Sequence, residues 1–396
     1  MSTTATDIPT EVDVLVVGAG PVGLSAACAL LQSGLRLLVV DEQMSVHHTS
    51  RAAVVHPRTL EALATIDVAE AVVGRAHCIN TFEVRDRDRT LFQLVFDDLP
   101  SPYSFIAMIP QDVTEQILAE RLEALGGRVF RGVAVRSLTD GPDAASVLVE
   151  PVGTPGAVVE VRARYVIGAD GAHSTVRSCA GIDAGTADAA AESFLLADVT
   201  VSEQARTALP DDRVLLFLDR AGILVSAPLP DGSHRIVAAT DRAPAAPDAD
   251  DVSRFLTDRV PGISADPVRA VRWGSRFRVH HGVAASLHRG HVLLAGDAAH
   301  VHSPAGGQGM NLGIRDAIGA AAAIQDALAG NPGALDVWAQ THRRLAVHVV
   351  GLATRLTRVA TLRRGRGLRT VLLTLIGRSA RFRRRLALDL AGLADR

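Results

Sequence analysis

The 396-residue chain contains no lysine; all 41 of its basic residues are arginine. That excludes chemistry built on a side-chain amine, such as a Schiff base to pyridoxal or to a carbonyl substrate. It also excludes the phosphate loop G-x-x-x-x-G-K-[ST]. Cysteine is nearly as scarce, with only Cys28, Cys78 and Cys179. An odd number of thiols with no C-x-x-C spacing indicates neither a disulfide framework nor a thiolate zinc site, and it fits a reducing cytoplasm. No run approaches the roughly 18 uncharged apolar residues of a membrane-spanning helix. The opening MSTTATDIPT has neither the basic start nor the apolar run of a secretory signal, so a soluble, cytoplasmic protein with a short loose tail is expected. Net charge is only −2, which argues against nucleic acid as a partner of the whole chain.

The length predicts two or three domains at about 150 residues each. Charge is unevenly spread: from Arg343 onward fourteen arginines face only Asp389 and Asp395, so the remainder of the chain is acidic. From Leu345 to Leu393 apolar residues and arginines recur at helical spacing, interrupted by Gly365, Gly367 and Gly377. Leu352, Leu356, Val359, Leu372, Leu373 and Ile376 mark the faces expected to be buried. The pattern predicts helices docked on the acidic body with their arginines in water, the alternative being a membrane-surface or partner-docking device.

The informative region begins at Val12. VDVLVV is an unalternating β-branched run, as in a strand buried on both faces, and it leads straight into GAGPVGLSAACALLQSGL. Gly18 permits a tight turn, Gly20 lets the backbone approach a pyrophosphate, and Gly23 lets the helix lie close on the strand. The start of that helix offers free N–H groups and a positive dipole end to phosphates. A second strand, LRLLVVDE, ends at Asp41, where a carboxylate accepts hydrogen bonds from ribose hydroxyls and repels a 2′-phosphate. The bound nucleotide is therefore expected to be FAD or NAD.

Two later segments, RYVIGADGAHSTVR and HVLLAGDAAHVHSPAGGQGMNLGIRDA, each run an apolar strand into an aspartate. Asp170 and Asp297 are thus placed at strand carboxyl ends, where open α/β sheets bind ligands, with a helix N-cap as the alternative role. Between Glu192 and Trp273, runs such as SFLLADVTV, RVLLFLD, GILVSAPL and HRIVAAT alternate with turn residues and predict a mainly antiparallel sheet, joined by INTFEVRD and TLFQLVF.

These residues together resemble a class A flavoprotein monooxygenase, the group of para-hydroxybenzoate and aromatic polyketide hydroxylases. GAGPVG with Asp41, then GADGAHSTVR, then GDAAHVHSPAGGQGMNLGIRDA stand in the family's order. With SRAAVVHPRTLEAL and IPQDVTEQIL the likeness covers nearly the whole chain. The resemblance implies an α/β fold. Its Rossmann-like FAD-binding domain would be discontinuous over 10–72, 107–182 and 281–334, the inserted antiparallel β-sheet substrate domain would cover 73–106 and 183–280, and an Arg-rich helical segment would cover 335–396. It implies tight, non-covalent FAD, transient NADPH or NADH, molecular oxygen, and an electron-rich aromatic or polycyclic substrate oxygenated through a flavin hydroperoxide. It also implies the short form of the family, without a thioredoxin-like C-terminal domain.

By the same resemblance, Asp297 bonds the ribityl hydroxyls and the loop from Pro304 to Gly309 lies against the isoalloxazine. Gly309 opens a helix, and the N–H groups of Met310 and Asn311 face the flavin's pyrimidine edge. Arg51 and Gln111 contact the flavin chain, and Asp170 sits between flavin and nicotinamide, with Arg177 structural. Phe82, Phe92, Phe194 and Phe217 are pocket candidates on the sheet, with core packing the alternative role for each. No catalytic residue is implied. Gly282 stands where the family commonly has an arginine. The adjacent pairs His47-His48 and His280-His281 cannot chelate one metal from an extended strand, and no metal is expected. His300 and His302 flank the flavin loop and are expected to make structural hydrogen bonds. No second G-x-G-x-x-G occurs, so the nicotinamide is expected to dock transiently. The lack of lysine and of a Trp-x-Trp-x-Ile-Pro segment argues against a flavin halogenase. A non-oxygenating flavin reductase or dehydrogenase and a flavin-holding sequestering protein remain the alternatives at this point.

Overall fold

A computed structural model describes residues 5–45, 52–185, 192–219, 222–240, 243–279, 281–302, 306–361 and 366–394. The unalternating apolar runs form the centre of an eight-stranded sheet. Glu11–Val17 pairs in parallel with Leu37–Asp41 on one side and Val159–Gly168 on the other, and Val129–Arg131 and Val292–Leu294 extend the parallel order outward. Val14, Leu15, Val16, Leu38, Val39, Val166, Ile167 and Leu293 have no exposure, as expected of strands covered on both faces. Helices Pro21–Gln32, Gln111–Ala124 and Gln308–Leu328 cover this sheet, while Val133–Asp140 and Ala145–Pro151 continue it antiparallel.

The register places the functional loops. Val17 lies beside Gly168, and Gly168 beside Leu294, so the segments beginning at Gly18, Ala169 and Ala295 leave the sheet at one common edge.

The second sheet has seven strands in the order Val268–Val279, Glu192–Val201, His234–Ala239, Gly222–Pro228, Arg213–Asp219, Thr81–Asp86 and Arg89–Val95. Its pairs are antiparallel except Arg213–Asp219 with Thr81–Asp86. Alternation gives it two apolar faces. Leu195, Leu215 and Phe217 pack under helix Ala249–Arg259 with Val252 and Leu256, whereas Phe194, Val214 and Leu218 face the other way.

After helix Gln308–Leu328 the chain forms helix Gly333–Thr361, which packs against it, and then Arg366–Gly377 and Ala380–Ala391, which pack against strand Arg89–Val95. Leu373, Leu386 and Leu390 of the last two helices turn inward. Leu372, expected to be buried, is 52% exposed together with Val371 and Leu375, because its side of the helix faces away from the sheet. Leu356 and Val359 lie in a helix whose side chains there are outside the described residues. No helix of the described residues is long and apolar enough to cross a membrane.

Candidate functional site

Each glycine of the first turn meets a different constraint. Gly18 has φ +100°, and a Cβ there would stand 2.4 Å from the Ala169 carbonyl oxygen, so the first turn and the segment after Gly168 touch backbone to backbone. At Gly23 a Cβ would lie 1.9 Å from the Gly18 carbonyl oxygen; any side chain would push the helix off the strand. Gly20, the N-cap of helix Pro21–Gln32, has nothing within 4 Å of its Cβ position. Open space therefore stands before a helix N-terminus whose first-turn N–H groups lack helical partners. Asp41 secures the turn, accepting the Ala19 N–H at 2.7 Å and the Gln43 N–H at 2.8 Å.

Asp170 braces a helix start whose N-cap is Ser174, the side chain of which accepts the Arg177 N–H. Its carboxylate accepts the Ser174 hydroxyl at 2.5 Å and the Val176 N–H at 3.0 Å, at the start of helix Thr175–Cys179. It is not among the residues lining the cavity described below. Arg177 bridges two loops, donating to the Ala298 carbonyl and the Ala172 carbonyl, each at 2.9 Å. Asp297 is exposed in the short 3-10 turn Gly296–Ala298.

A cavity of about 1050 Å³ runs from these turns to the second sheet. Gly20, Gln111, Asp297, Gly307, Gly309 and Met310 line its polar end. Phe82, Phe92 and Phe194, with Leu216, Val225 and Leu390, line its apolar end. Phe217 does not: one strand's alternation puts Leu216 and Leu218 on the cavity face and Phe217 in the core beneath helix Ala249–Arg259.

Helix Gln308–Leu328 begins one residue before Gly309, with Gly307 as its left-handed N-cap. The N–H of Asn311 therefore falls into the helix's own ladder, and those of Gly307, Gln308, Gly309 and Met310 are the ones left over. The Asn311 side chain is structural: it accepts the His56 N–H at 2.8 Å and donates to the carbonyls of Val54 at 2.9 Å and Gly307 at 2.8 Å. Gln111 accepts the Ala52 N–H at 3.2 Å and donates to Glu115 at 2.8 Å. Arg51, Pro304, His47, His48 and His280 lie outside the described residues.

Two of the buried histidines at this cavity, His56 and His300, make contacts that no local sequence pattern marks. His56 Nε2 lies 2.8 Å from the Gly306 carbonyl and must therefore donate, which leaves Nδ1 an acceptor with no partner. Burial pushes its pKa down to about 4 against the opposing effect of that carbonyl, so the ring is neutral. His300 Nε2 meets Asp316 at 2.5 Å, and Asp316 also meets His342. The partners of His56 are 250 and 255 residues away in the chain, which hides them from any window of sequence.

A family model described as an FAD binding domain matches residues 11–353. The chain belongs to the FAD-binding domain family. Its relatives include a 6-methylpretetramide 4-monooxygenase of Streptomyces rimosus, 35% identical over 361 residues, or 89% of this chain and 63% of that protein. A flavin-dependent monooxygenase of Mycobacteroides abscessus is 33% identical over 86% of this chain and 73% of its own length. The chain thus spans less than two thirds of the first of these. Among solved structures, the OxyS anhydrotetracycline hydroxylase of Streptomyces rimosus superposes with a TM-score of 0.79 at 31% identity, covering 97% of this chain and 76% of that one. The p-nitrophenol 4-monooxygenase PnpA of Pseudomonas putida superposes at 0.85 over 98% and 99%, and at 23% identity it shows the shared fold.

Proposed function

We propose that this protein is an FAD-dependent, NAD(P)H-consuming monooxygenase of an electron-rich aromatic or polycyclic small molecule. The observation that carries the reading is the continuity of one cavity from glycine-lined turns to an aromatic-lined sheet face, which suits a cofactor and a flat apolar substrate in contact. The relatives named above support the oxygenase class.

In this reading residues 10–72, 107–182 and 281–334 hold the cofactor, 73–106 and 183–280 cover the substrate, and 335–396 close the cavity. The open space at Gly20 suits a pyrophosphate, which the first-turn N–H groups of helix Pro21–Gln32 bind, while Gly18 and Gly23 allow the turn. Asp41 uses its remaining lone pairs for ribose hydroxyls. Asp297 binds the ribityl hydroxyls, and Arg51 and Gln111 hold the flavin chain. The loop from Pro304 through Gly309, with the N–H of Met310, faces the ring, where a helix N-terminus favours negative charge. Asn311 and Asp170 act through the backbone they hold. Bound FAD supplies electron transfer from NAD(P)H and activation of molecular oxygen. The chain's share is to seat the substrate against Phe82, Phe92 and Phe194 and to keep water out.

The test is turnover with candidate phenolic and quinonoid substrates under labelled molecular oxygen. One labelled oxygen atom per product, with one NAD(P)H consumed, is the expected result. An unlabelled product formed at full rate without oxygen would make the protein a reductase or dehydrogenase, and flavin binding with no product from any substrate would favour a sequestering protein.

A further inference from the structure

The register of the second sheet sets apolar side chains in one line across six strands. Phe92 stands opposite Val84, Val84 opposite Leu216, Leu216 opposite Val225, Val225 opposite Val237, and Val237 opposite Leu196. Every one of them lines the cavity. Neighbouring strands lie ~4.8 Å apart, so the line makes an apolar strip roughly 24 Å long, far longer than one benzene ring. Leu373, Leu386 and Leu390 of the last two helices add to the same apolar lining.

Among the described residues, the charged side chains that line the cavity are Arg177, Arg235, Arg276 and Asp297. Arg177 and Asp297 belong to the turns at the polar end. Arg235 lies on the sheet, one row away from the strip between Ala227 and Asp198, and its Nε and Nη2 each donate to the Asp198 carboxylate at 2.7 Å. That two-pronged pair already balances the arginine's charge. Arg276 is exposed on the edge strand Val268–Val279 and donates to the Ala243 carbonyl at 3.0 Å. The lining histidines, His56, His173, His281, His300 and His302, all come from outside this sheet. An ionised group laid against the strip would therefore leave water without meeting a counter-charge, which is costly.

We propose that the cavity selects an uncharged fused-ring compound. Its rings lie along the line from Phe92 to Leu196, its oxygens point toward the glycine turns, and the edge that meets the sheet carries no carboxylate or other ionised group. The inference rests on the function proposed above and names the substrate class of that same site. Leu216 and Val225, in the middle of the line and both partly accessible, are the specificity-determining residues.

The experiment reads binding to FAD-loaded protein by equilibrium dialysis, without NAD(P)H, at about pH 7, where a carboxylic acid is ionised. The probes are methyl 6-hydroxy-2-naphthoate, the corresponding free acid, and methyl 4-hydroxybenzoate. The first two share their rings and differ in charge; the two esters differ by one ring. The naphthoate ester is expected to bind at least about a hundredfold more tightly than its acid. It should also bind about tenfold more tightly than the one-ring ester. Leu216→Arg and Val225→Arg are expected to narrow or reverse the preference for the ester, because each puts a cation in the apolar wall. An acid that binds wild-type protein within about tenfold of the ester overturns the proposal; if Arg276→Gln then abolishes its binding, Arg276 is the anion's partner. A naphthoate ester no tighter than the one-ring ester overturns it too, as does failure of both esters to bind. Arginine variants that keep FAD and the full preference for the ester would place the ligand away from the strip and count equally against it. Should neither variant retain FAD, the wild-type comparison still decides. Absence of oxygenated product from every compound that binds would instead count against the proposed function and leave these affinities standing.

Discussion

Gln308 donates from Nε2 to the main-chain carbonyl of Leu390 at 2.7 Å, joining the first residue of the cavity-facing helix to the last helix of the chain. The two segments also meet at Gly306, where a Cβ would stand 3.0 Å from Leu390 Cδ2. The arginine-rich C-terminal region is therefore part of the cavity wall. Leu386 and Leu390 face inward while Arg384 and Arg385 remain exposed on the same helix.

Deleting residues 366–396 is accordingly expected to open the apolar end of the cavity and to yield insoluble or FAD-poor protein. The milder Gln308→Ala leaves the Leu390 carbonyl unsatisfied and should cost about 1–3 kcal/mol. Flavin-to-protein absorbance and a chemical denaturation curve measure both. A truncated protein that stays soluble, yellow and active but no longer binds liposomes or a partner would show that these helices serve docking instead.

Asp297→Ala should weaken FAD retention without unfolding the chain, since the residue is exposed at the cavity. Charge-assisted hydrogen bonds are worth roughly 1.5–3 kcal/mol, or about ten- to a hundredfold in Kd. A fluorescence titration of the flavin-free protein gives the number. Unchanged affinity would remove Asp297 from the ribityl site.

The glycines of the first turn should separate by readout. Gly23→Ala drives a methyl group into the Gly18 carbonyl and is expected to lower Tm by several degrees. Gly20→Ala has room in the protein and an extended backbone, so its Tm without FAD should barely move while FAD affinity falls. If Gly20→Ala binds FAD normally, the space before this helix is not the pyrophosphate site.

Stability should decline between about pH 6.5 and 4 through His56. Its pKa is depressed in the folded state, so below the unfolded value the unfolded chain binds the proton first and is favoured. From pH 7 to pH 5 this removes about 2 kcal/mol by linkage. Urea denaturation of wild type and His56→Gln at the two pH values checks it. The variant, whose amide can still donate to Gly306, should lose this part of the pH dependence; equal slopes would mean His56 is accessible to protons in the folded state.

The sequence alone was sufficient for the strands of the parallel sheet, the glycine turn with Asp41, the two later strand-to-aspartate segments and the runs of the second sheet. Each is a contiguous pattern whose cause is local: β-branched runs that need burial on both faces, glycines at a turn, apolar and polar residues in alternation. It could not decide which face of a strand meets the cavity. Phe194 and Phe217 look alike as residues, yet register puts one at the cavity and the other beneath a helix. Nor could it decide whether Asp170 meets a ligand or braces a helix start, because both use the same carboxylate at the same strand end. The pairing of Asp316 with His300 and His342, the contact of His56 with Gly306, and the closure of the cavity by Leu390 depend on segments 16 to 250 residues apart. Such contacts exist only once the helices have packed on the sheets, since packing, not local propensity, chooses which distant polar groups must satisfy one another out of water.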